Sequence, residues 1–193
     1  TDGLLDAFGQ ERIRDTPISE EVIAGLAVGA AMTGMRPIVE MQFSDFVVNA
    51  MDPIVNQAAK LHFMYGGNVE VPMVIRLPGG GGTGAAAQHS QSLEAWFAHV
   101  PGLKVIAPAT AQDAHDLLIS AVADPQPVMV FEPKPLNQAD GPVELRDTVE
   151  PTMGLSQAGV RRPGDDLTIV GYSFMAMRAL DAAARLENSG ISA

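Results

Sequence analysis

The sequence predicts an α/β fold in which a parallel sheet is flanked by helices, followed by the start of a second α/β domain. From Ile18 onward, segments with helical periodicity alternate with short apolar segments typical of buried strands. This alternation is characteristic of a parallel sheet covered by helices. The composition is globular, with 47% hydrophobic and 18% charged residues among 193, so the chain can bury a core.

The predicted elements follow in chain order. A helix from about Glu20 to Thr33 has Ser19 as its N-cap and ends before Gly34 and Pro37. The later elements are strand Pro37 to Phe43, helix Asp45 to Met64, strand Val71 to Leu77, loop Gly79 to Gly84, helix Gln91 to His99, strand Leu103 to Ala107, helix Ala111 to Ala123, strand Pro127 to Glu132, strand Leu167 to Tyr172 and helix Met175 to Asn188. Pro53 is expected to kink or divide its helix, because proline has no amide donor.

Composition also predicts the domain organisation. Residues 1–135 form a first domain, and residues 136–163, rich in Pro, Gly and acidic side chains, form an inter-domain linker. Residues 164–193 begin a second domain. A lone βα unit cannot bury both faces of its strand, so we expect this second domain to continue past Ala193.

Charge and composition exclude several classes of partner. The formal net charge of −11 opposes binding to phosphate backbones or anionic lipid, which depends on clustered Lys and Arg. The chain has no cysteine, so it has neither disulfides nor thiolate metal sites. Its longest apolar stretch, from Val22 to Met32, is far shorter than the roughly 20 residues that cross a bilayer. We therefore expect neither nucleic acid nor membrane as a partner.

Three places combine polar chemistry with a plausible cleft. Glu20 stands at the start of a helix rich in small residues, where an acid is also favoured by the helix dipole alone. Gly25 and Gly29 of that helix allow close approach of another backbone, from a partner or from the same domain. The glycines from Gly79 to Gly84 indicate either an anion-binding or a mobile loop. His89 follows this loop, and it is either a histidine that transfers a proton or a purely structural one.

Several segments together carry a resemblance to a known family. They are Arg12-Ile13-Arg14-Asp15-Thr16-Pro17-Ile18-Ser19-Glu20, Gly34-Met35-Arg36-Pro37-Ile38-Val39-Glu40, Asn56-Gln57-Ala58-Ala59-Lys60, Ala87-Gln88-His89-Ser90-Gln91-Ser92 and Pro101-Gly102-Leu103-Lys104-Val105. In order and spacing they resemble the beta subunits of 2-oxo acid dehydrogenase decarboxylases and of acetoin dehydrogenase. The resemblance implies that residues 1–135 are a pyrimidine-binding domain for thiamin diphosphate, with further elements before Thr1 in a longer protein.

The resemblance assigns roles to individual residues. The glutamate matching Glu20 contacts the aminopyrimidine of thiamin diphosphate, where a carboxylate beside the ring nitrogen favours its protonation. The positions of Ile18, Gln42 and Phe46 line the pyrimidine pocket, and an aromatic face at Phe46 suits stacking. His89 matches a histidine near the reacting carbon, which is thought to orient substrate or lipoyl group and to transfer a proton.

The resemblance also implies metals and partners. Ala121 and Asp124 match positions that bind a structural potassium ion in some members, although Gln126 replaces an asparagine there. The chain has no Gly-Asp-Gly segment of the kind that holds magnesium and diphosphate, so these are expected on an alpha subunit. We therefore expect an alpha2beta2 heterotetramer that acts with a lipoyl-bearing acyltransferase on a 2-oxo acid such as pyruvate, or on acetoin.

Two other functions stay open at this stage. A transketolase-like carbon–carbon transferase would need more basic residues for sugar phosphates than this acidic chain offers. A non-catalytic binding module of the same fold would have lost the chemistry, whereas Glu20 and His89 are both present. The expected compartment is the bacterial cytoplasm, or the mitochondrial matrix in a eukaryote.

Overall fold

A computed structural model describes residues 2–146, 151 and 153–193 of the chain. Its α-helices are α1 (Leu4–Phe8), α2 (Glu20–Met32), α3 (Ala59–Met64), α4 (Glu94–Ala98), α5 (Ala111–Ala123) and α6 (Ser173–Glu187). Its strands are β1 (Ile38–Glu40), β2 (Val74–Gly79), β3 (Lys104–Ile106) and β4 (Val128–Pro133). Shorter 3-10 segments span Ser44–Ala50, Ala87–His89 and Lys134–Leu136, and a π-helical segment spans Asp52–Ala58.

The four strands form one parallel sheet in the order β1-β2-β4-β3. Residues of β2 and β4 alternate between two apolar clusters, because successive side chains of a strand point to opposite faces. Ile75 and Met129 join the larger cluster, which contains the buried side of α2 and Phe97, whereas Val74 and Val128 join a smaller cluster with Ala121 of α5. Helices therefore cover both faces, which confirms the predicted fold class.

The segment predicted as one helix from Asp45 to Met64 is divided, as Pro53 led us to expect. A 3-10 segment leads into a π-helical segment with Pro53 near its start, and only Ala59–Met64 is α-helical. Proline removes one amide donor and crowds the preceding turn, so regular α-helical hydrogen bonding cannot pass through it. The division matters for the site because the 3-10 segment carries Phe46.

The strand predicted from Leu167 to Tyr172 is wrong: these residues have no strand structure. A strand requires a neighbour along its length. In the described part of the chain, the amides of Asp166 and Leu167 donate to the Ser192 carbonyl oxygen, at 2.9 and 3.4 Å, and no ladder follows. The helix after it is present as α6, and α1 was not predicted.

Element ends differ by a few residues elsewhere. Strand β1 begins one residue after and ends three residues before the predicted Pro37 to Phe43, and β2 begins three residues late, because pairing between them starts where Ile38 meets Val74. Ser19 precedes α2 in an extended conformation, but its side chain makes no capping hydrogen bond. A capping box at the start of α5 is formed instead by Thr110 and Asp113.

Candidate functional site

Glu20 is the first residue of α2 and is half-buried. The unpaired amides at a helix start carry partial positive charge, so they stabilise a carboxylate there. Ile18, two residues earlier, is 76% exposed. Among the described residues, no hydrogen bond joins the Glu20 side chain to Gln42 or to His89.

Helix α2 has one buried and one exposed apolar side. Its inner side contributes Ala24, Ala27, Val28 and Ala31 to the core. On its outer side Val22 and Leu26 are 53% and 64% exposed, and nothing lies within 4 Å of a Cβ built on Gly25 or Gly29. The core packing of its own domain therefore does not explain these two glycines.

His89 lies between two phenylalanine rings. The imidazole centroid is 4.8 Å from that of Phe43, at an interplanar angle of 77°, and 5.4 Å from that of Phe46, at 81°. Both contacts are edge-to-face, the arrangement that aromatic quadrupoles favour. Two residues that the resemblance assigned to one site, Phe46 and His89, are thus in direct contact, although 42 other residues separate them in the chain.

The loop that carries His89 is fixed at its base. The Gly80 amide donates to the Gln91 carbonyl oxygen at 3.0 Å, and the Gln91 amide donates to Asp45 Oδ1 at 3.0 Å. Gly79 lies so close to buried Ser44 that a Cβ there would be 1.9 Å from Ser44 Oγ. A mobile loop was one of the two expectations from the sequence, and residues 81 to 88 of this loop are exposed.

An ion cluster links the neighbouring strands β1, β2 and β4. The Arg76 guanidinium binds both carboxylate oxygens of Glu132, at 2.6 and 3.0 Å, and one of Glu40, at 2.8 Å. The hydrogen bond to Glu132 is the main cause that raises the pKa of Arg76, against the opposing effect of burial. Because the bidentate pair with Glu132 and the single hydrogen bond to Glu40 each join neighbouring strands, the cluster ties the three strands together.

Gln42 and the two potassium candidates occupy different surroundings. Gln42 is exposed, next in the chain to Phe43. Ala121 is buried, and the Asp124 carboxylate binds the Lys104 ammonium and accepts the Gln126 amide at 2.9 Å. The Arg36 guanidinium also donates to the Asp124 main-chain oxygen at 3.1 Å.

These contacts do not fit a potassium ion at Asp124, because two cationic side chains already lie against its oxygens. The described residues also contain no group of three His, Cys, Asp or Glu side chains placed to hold a metal ion. The potassium site stays a prediction that this arrangement does not favour.

Two other histidines, His62 and His115, have structural partners. His62 Nδ1 lies 2.7 Å from the Val69 carbonyl oxygen, and His115 Nδ1 lies 2.8 Å from Asp116 Oδ1. Phe43 and Lys134, which are not among the site residues predicted from the sequence, both contact His89. The Phe43 signal was available in the sequence, as an aromatic residue three positions before Phe46 at the end of a strand.

Comparison with known proteins identifies the family. The chain belongs to the family described as transketolase, pyrimidine binding domain, which matches residues 1–139, and residues 156–193 match the transketolase C-terminal domain. The predicted transketolase-like pyrimidine domain is therefore confirmed.

Individual relatives are named as dehydrogenase beta subunits. The chain is 47% identical to the 2-oxoisovalerate dehydrogenase subunit beta of Bacillus subtilis, across 100% of the chain and 58% of that protein. It is 47% identical to the pyruvate dehydrogenase E1 component subunit beta of Rickettsia felis, across 99% of the chain and 58% of that protein. It is 46% identical to the mitochondrial pyruvate dehydrogenase E1 component subunit beta-2 of rice, across 99% of the chain and 51% of that protein. The chain thus spans just over half the length of these relatives, and the resemblance to such beta subunits is confirmed.

A solved structure shares the fold. The split gene transketolase described as an inactive beta4 tetramer matches with a TM-score of 0.76 and 25% identity, across 99% of this chain and 58% of that one. Within the described part of the chain, no helix is both long and apolar enough to cross a membrane.

Proposed function

We propose that this chain is part of the beta subunit of a thiamin-diphosphate-dependent 2-oxo acid (pyruvate) or acetoin dehydrogenase. In this role it binds the cofactor aminopyrimidine and, with an alpha subunit, supports decarboxylation or carbon–carbon cleavage and reductive acylation of a lipoyl group. The observation that carries the proposal is the half-buried Glu20 carboxylate at the start of α2, beside an apolar helix side that the chain itself leaves uncovered.

The side chains here fit an aminopyrimidine. Glu20 supplies an acceptor for a ring N–H, Phe46 an aromatic face, Gln42 an amide and Ile18 an apolar contact. When bound, thiamin diphosphate supplies a carbon nucleophile and an electron sink for cleavage next to a carbonyl. On the pyrimidine side of this chemistry, the Glu20 carboxylate would accept a hydrogen bond from the ring N–H and so stabilise the proton on the ring nitrogen.

His89 is proposed to act on the substrate side. Its imidazole is half-buried and in edge-to-face contact with two phenylalanine rings, so a proton can be delivered at a defined position. This environment suits a histidine that orients a 2-oxo acid or a lipoyl group and transfers a proton to it.

The proposal includes partner subunits. Exposed Val22 and Leu26 beside open Gly25 and Gly29 offer a surface to which another helix can pack closely. We propose that an alpha subunit, which also holds magnesium and diphosphate, completes the site in an alpha2beta2 assembly served by a lipoyl-bearing acyltransferase. The domain division at residues 1–135, 136–163 and 164–193 is part of the same proposal.

A transketolase-like transferase is the second candidate, favoured by the solved split gene transketolase. Its 25% identity is well below the 46–47% shared with dehydrogenase beta subunits. A non-catalytic module of the same fold is the third candidate. The relatives named above include bacterial and mitochondrial proteins, so we propose the bacterial cytoplasm, or the mitochondrial matrix in a eukaryote.

The test combines the full-length protein with a matching alpha subunit and magnesium thiamin diphosphate. Turnover of pyruvate, branched-chain 2-oxo acids and acetoin is followed with a dye acceptor, and sugar-phosphate transfer is assayed in parallel. Activity on a sugar phosphate alone favours the transferase, and inactivity of the assembled heteromer on every substrate favours the non-catalytic module.

The Glu20→Gln variant tests the role of the carboxylate. We expect proton exchange at C2 of the bound cofactor to fall by about 10²- to 10⁴-fold, because the amide cannot hold the pyrimidine proton, while assembly with the alpha subunit is retained. Glu21→Gln is the matched control, since Glu21 lies in the same helical turn but is exposed. Wild-type exchange in Glu20→Gln contradicts the assignment.

A further inference from the structure

The turn that follows β4 contacts the loop that carries His89. The Lys134 ammonium donates to the His89 carbonyl oxygen and lies 4.8 Å from the centre of the Phe43 ring. The same Phe43 ring packs edge-on against the His89 imidazole. Next to Lys134, Pro135 Cγ is only 3.0 Å from the position of a Cβ on Gly82. One short turn thus touches the loop at two separate places.

We propose that Lys134 is a positioning residue that fixes the His89 imidazole, an inference that rests on the proposed role of His89 in the thiamin-dependent site. Lys134 acts through two contacts. Its hydrogen bond holds the backbone of His89, and its charge over the Phe43 face orients the ring against which the imidazole packs. Lys134 itself need not touch substrate or cofactor.

The rest of the loop does not provide this constraint. Gly80 and Gln91 close its base, but the residues from 81 to 88 between them are exposed. The His89 amide makes only a long hydrogen bond, 3.4 Å, to the Ala86 carbonyl oxygen. A hydrogen bond from a charged donor at the His89 carbonyl therefore decides how often the ring occupies its place between Phe43 and Phe46.

Removing the ammonium should release the loop. Hydrogen bonds to charged groups shift an equilibrium by about tenfold or more. In the full-length heteromer, Lys134→Met should raise amide hydrogen exchange in the peptide covering residues 85–91 about tenfold. It should lower kcat by a similar factor and leave thiamin diphosphate affinity unchanged, because Glu20 is not among the contacts of Lys134. Lys134→Arg should restore much of the protection from exchange and much of kcat.

The chain contains a matched control. Lys60 is also a lysine whose ammonium donates to a loop carbonyl, that of Pro101 at 2.8 Å, but it contacts no residue of the proposed site. Lys60→Met should therefore leave exchange at residues 85–91 and kcat unchanged. If Lys60→Met lowers kcat as much as Lys134→Met, a general loss of stability explains the effect and the proposal fails.

The His89→Ala background separates this proposal from the proposed function. If Lys134 acts through His89, Lys134→Met should reduce turnover much less in His89→Ala than in the wild type. Equal reductions in both backgrounds overturn the positioning role. Turnover that survives His89→Ala undiminished refutes the catalytic role of His89 instead. Unchanged amide hydrogen exchange at residues 85–91 in Lys134→Met overturns the proposed positioning role of Lys134, whatever the activity is.

Discussion

Replacing Gly79 by alanine tests the close packing at the base of the histidine loop. The new methyl carbon would lie 1.9 Å from Ser44 Oγ and 2.7 Å from Ser44 Cβ, well inside the 3.4 Å at which ordinary contact begins. Ser44 is fully buried, so its side chain has no solvent to move into. Gly79 does not have a positive φ, so steric overlap rather than backbone strain destabilises the variant, against a smaller stabilising effect of alanine on the unfolded chain. Overpacking of this kind destabilises a protein by about 1–3 kcal/mol.

The assay is urea unfolding of the full-length protein, with turnover measured in the assembled heteromer. We expect Gly79→Ala to lower the free energy of unfolding by about 2 kcal/mol and to reduce turnover, because Gly79 leads into the loop of His89. Gly81→Ala is the control: its methyl would meet only the Ser90 carbonyl oxygen, at 3.8 Å.

The decisive variant is Gly79→Ala combined with Ser44→Gly. Removing the Ser44 side chain removes both overlapping atoms, so the double variant should regain more than half of the lost stability. The reasoning is refuted if Ser44→Gly gives no rescue, or if Gly79→Ala is as harmless as Gly81→Ala.

Two further predictions concern charged groups. Arg76→Met should destabilise the protein by about 2 kcal/mol, because it leaves Glu132 without its bidentate partner. The loss is smaller than for a fully buried pair because part of the Arg76 side chain meets water. Arg178→Met breaks an exposed pair and should change the unfolding free energy by less than about 0.5 kcal/mol, so similar values for the two variants contradict this prediction. The His115 hydrogen bond lowers the pKa of Asp116, so the carboxylate stabilises the fold above its ordinary pKa and loses this effect as pH falls through the lowered value. The stability gap between wild type and Asp116→Asn should narrow from about pH 6 to about pH 3, and a gap that widens on acidification is the contrary result.

Local sequence patterns were sufficient to predict an element where a residue acts on the backbone within its own turn. Pro53 divides its helix because the missing amide acts within one turn. Helix α5 occupies the predicted range because Thr110, Asp113 and the apolar spacing are all local signals. The predicted strand from Leu167 to Tyr172 failed for the opposite reason, since a strand depends on a neighbour that its own residues cannot supply.

The proposed site likewise has one part that the sequence predicts and one part that it does not. A carboxylate at the start of α2 is visible in the sequence, because a helix start and its dipole follow from neighbouring residues. The surroundings of His89 are not visible, because Phe43 and Lys134 each lie about 45 residues away along the chain. The sheet brings them together by placing the ends of β1, β2 and β4 at one edge.

The sequence by itself determined the fold class and the helix that presents Glu20, and its acidic, cysteine-free composition led us to expect neither a nucleic-acid partner nor thiolate chemistry. Only the tertiary structure decided that His89 packs between Phe43 and Phe46, that Lys134 holds the backbone of its loop, and that cationic side chains lie against Asp124. The physical reason is the separation along the chain over which each interaction acts. Periodicity and capping act over a few residues, whereas these contacts depend on strand order and on loops closing across the sheet.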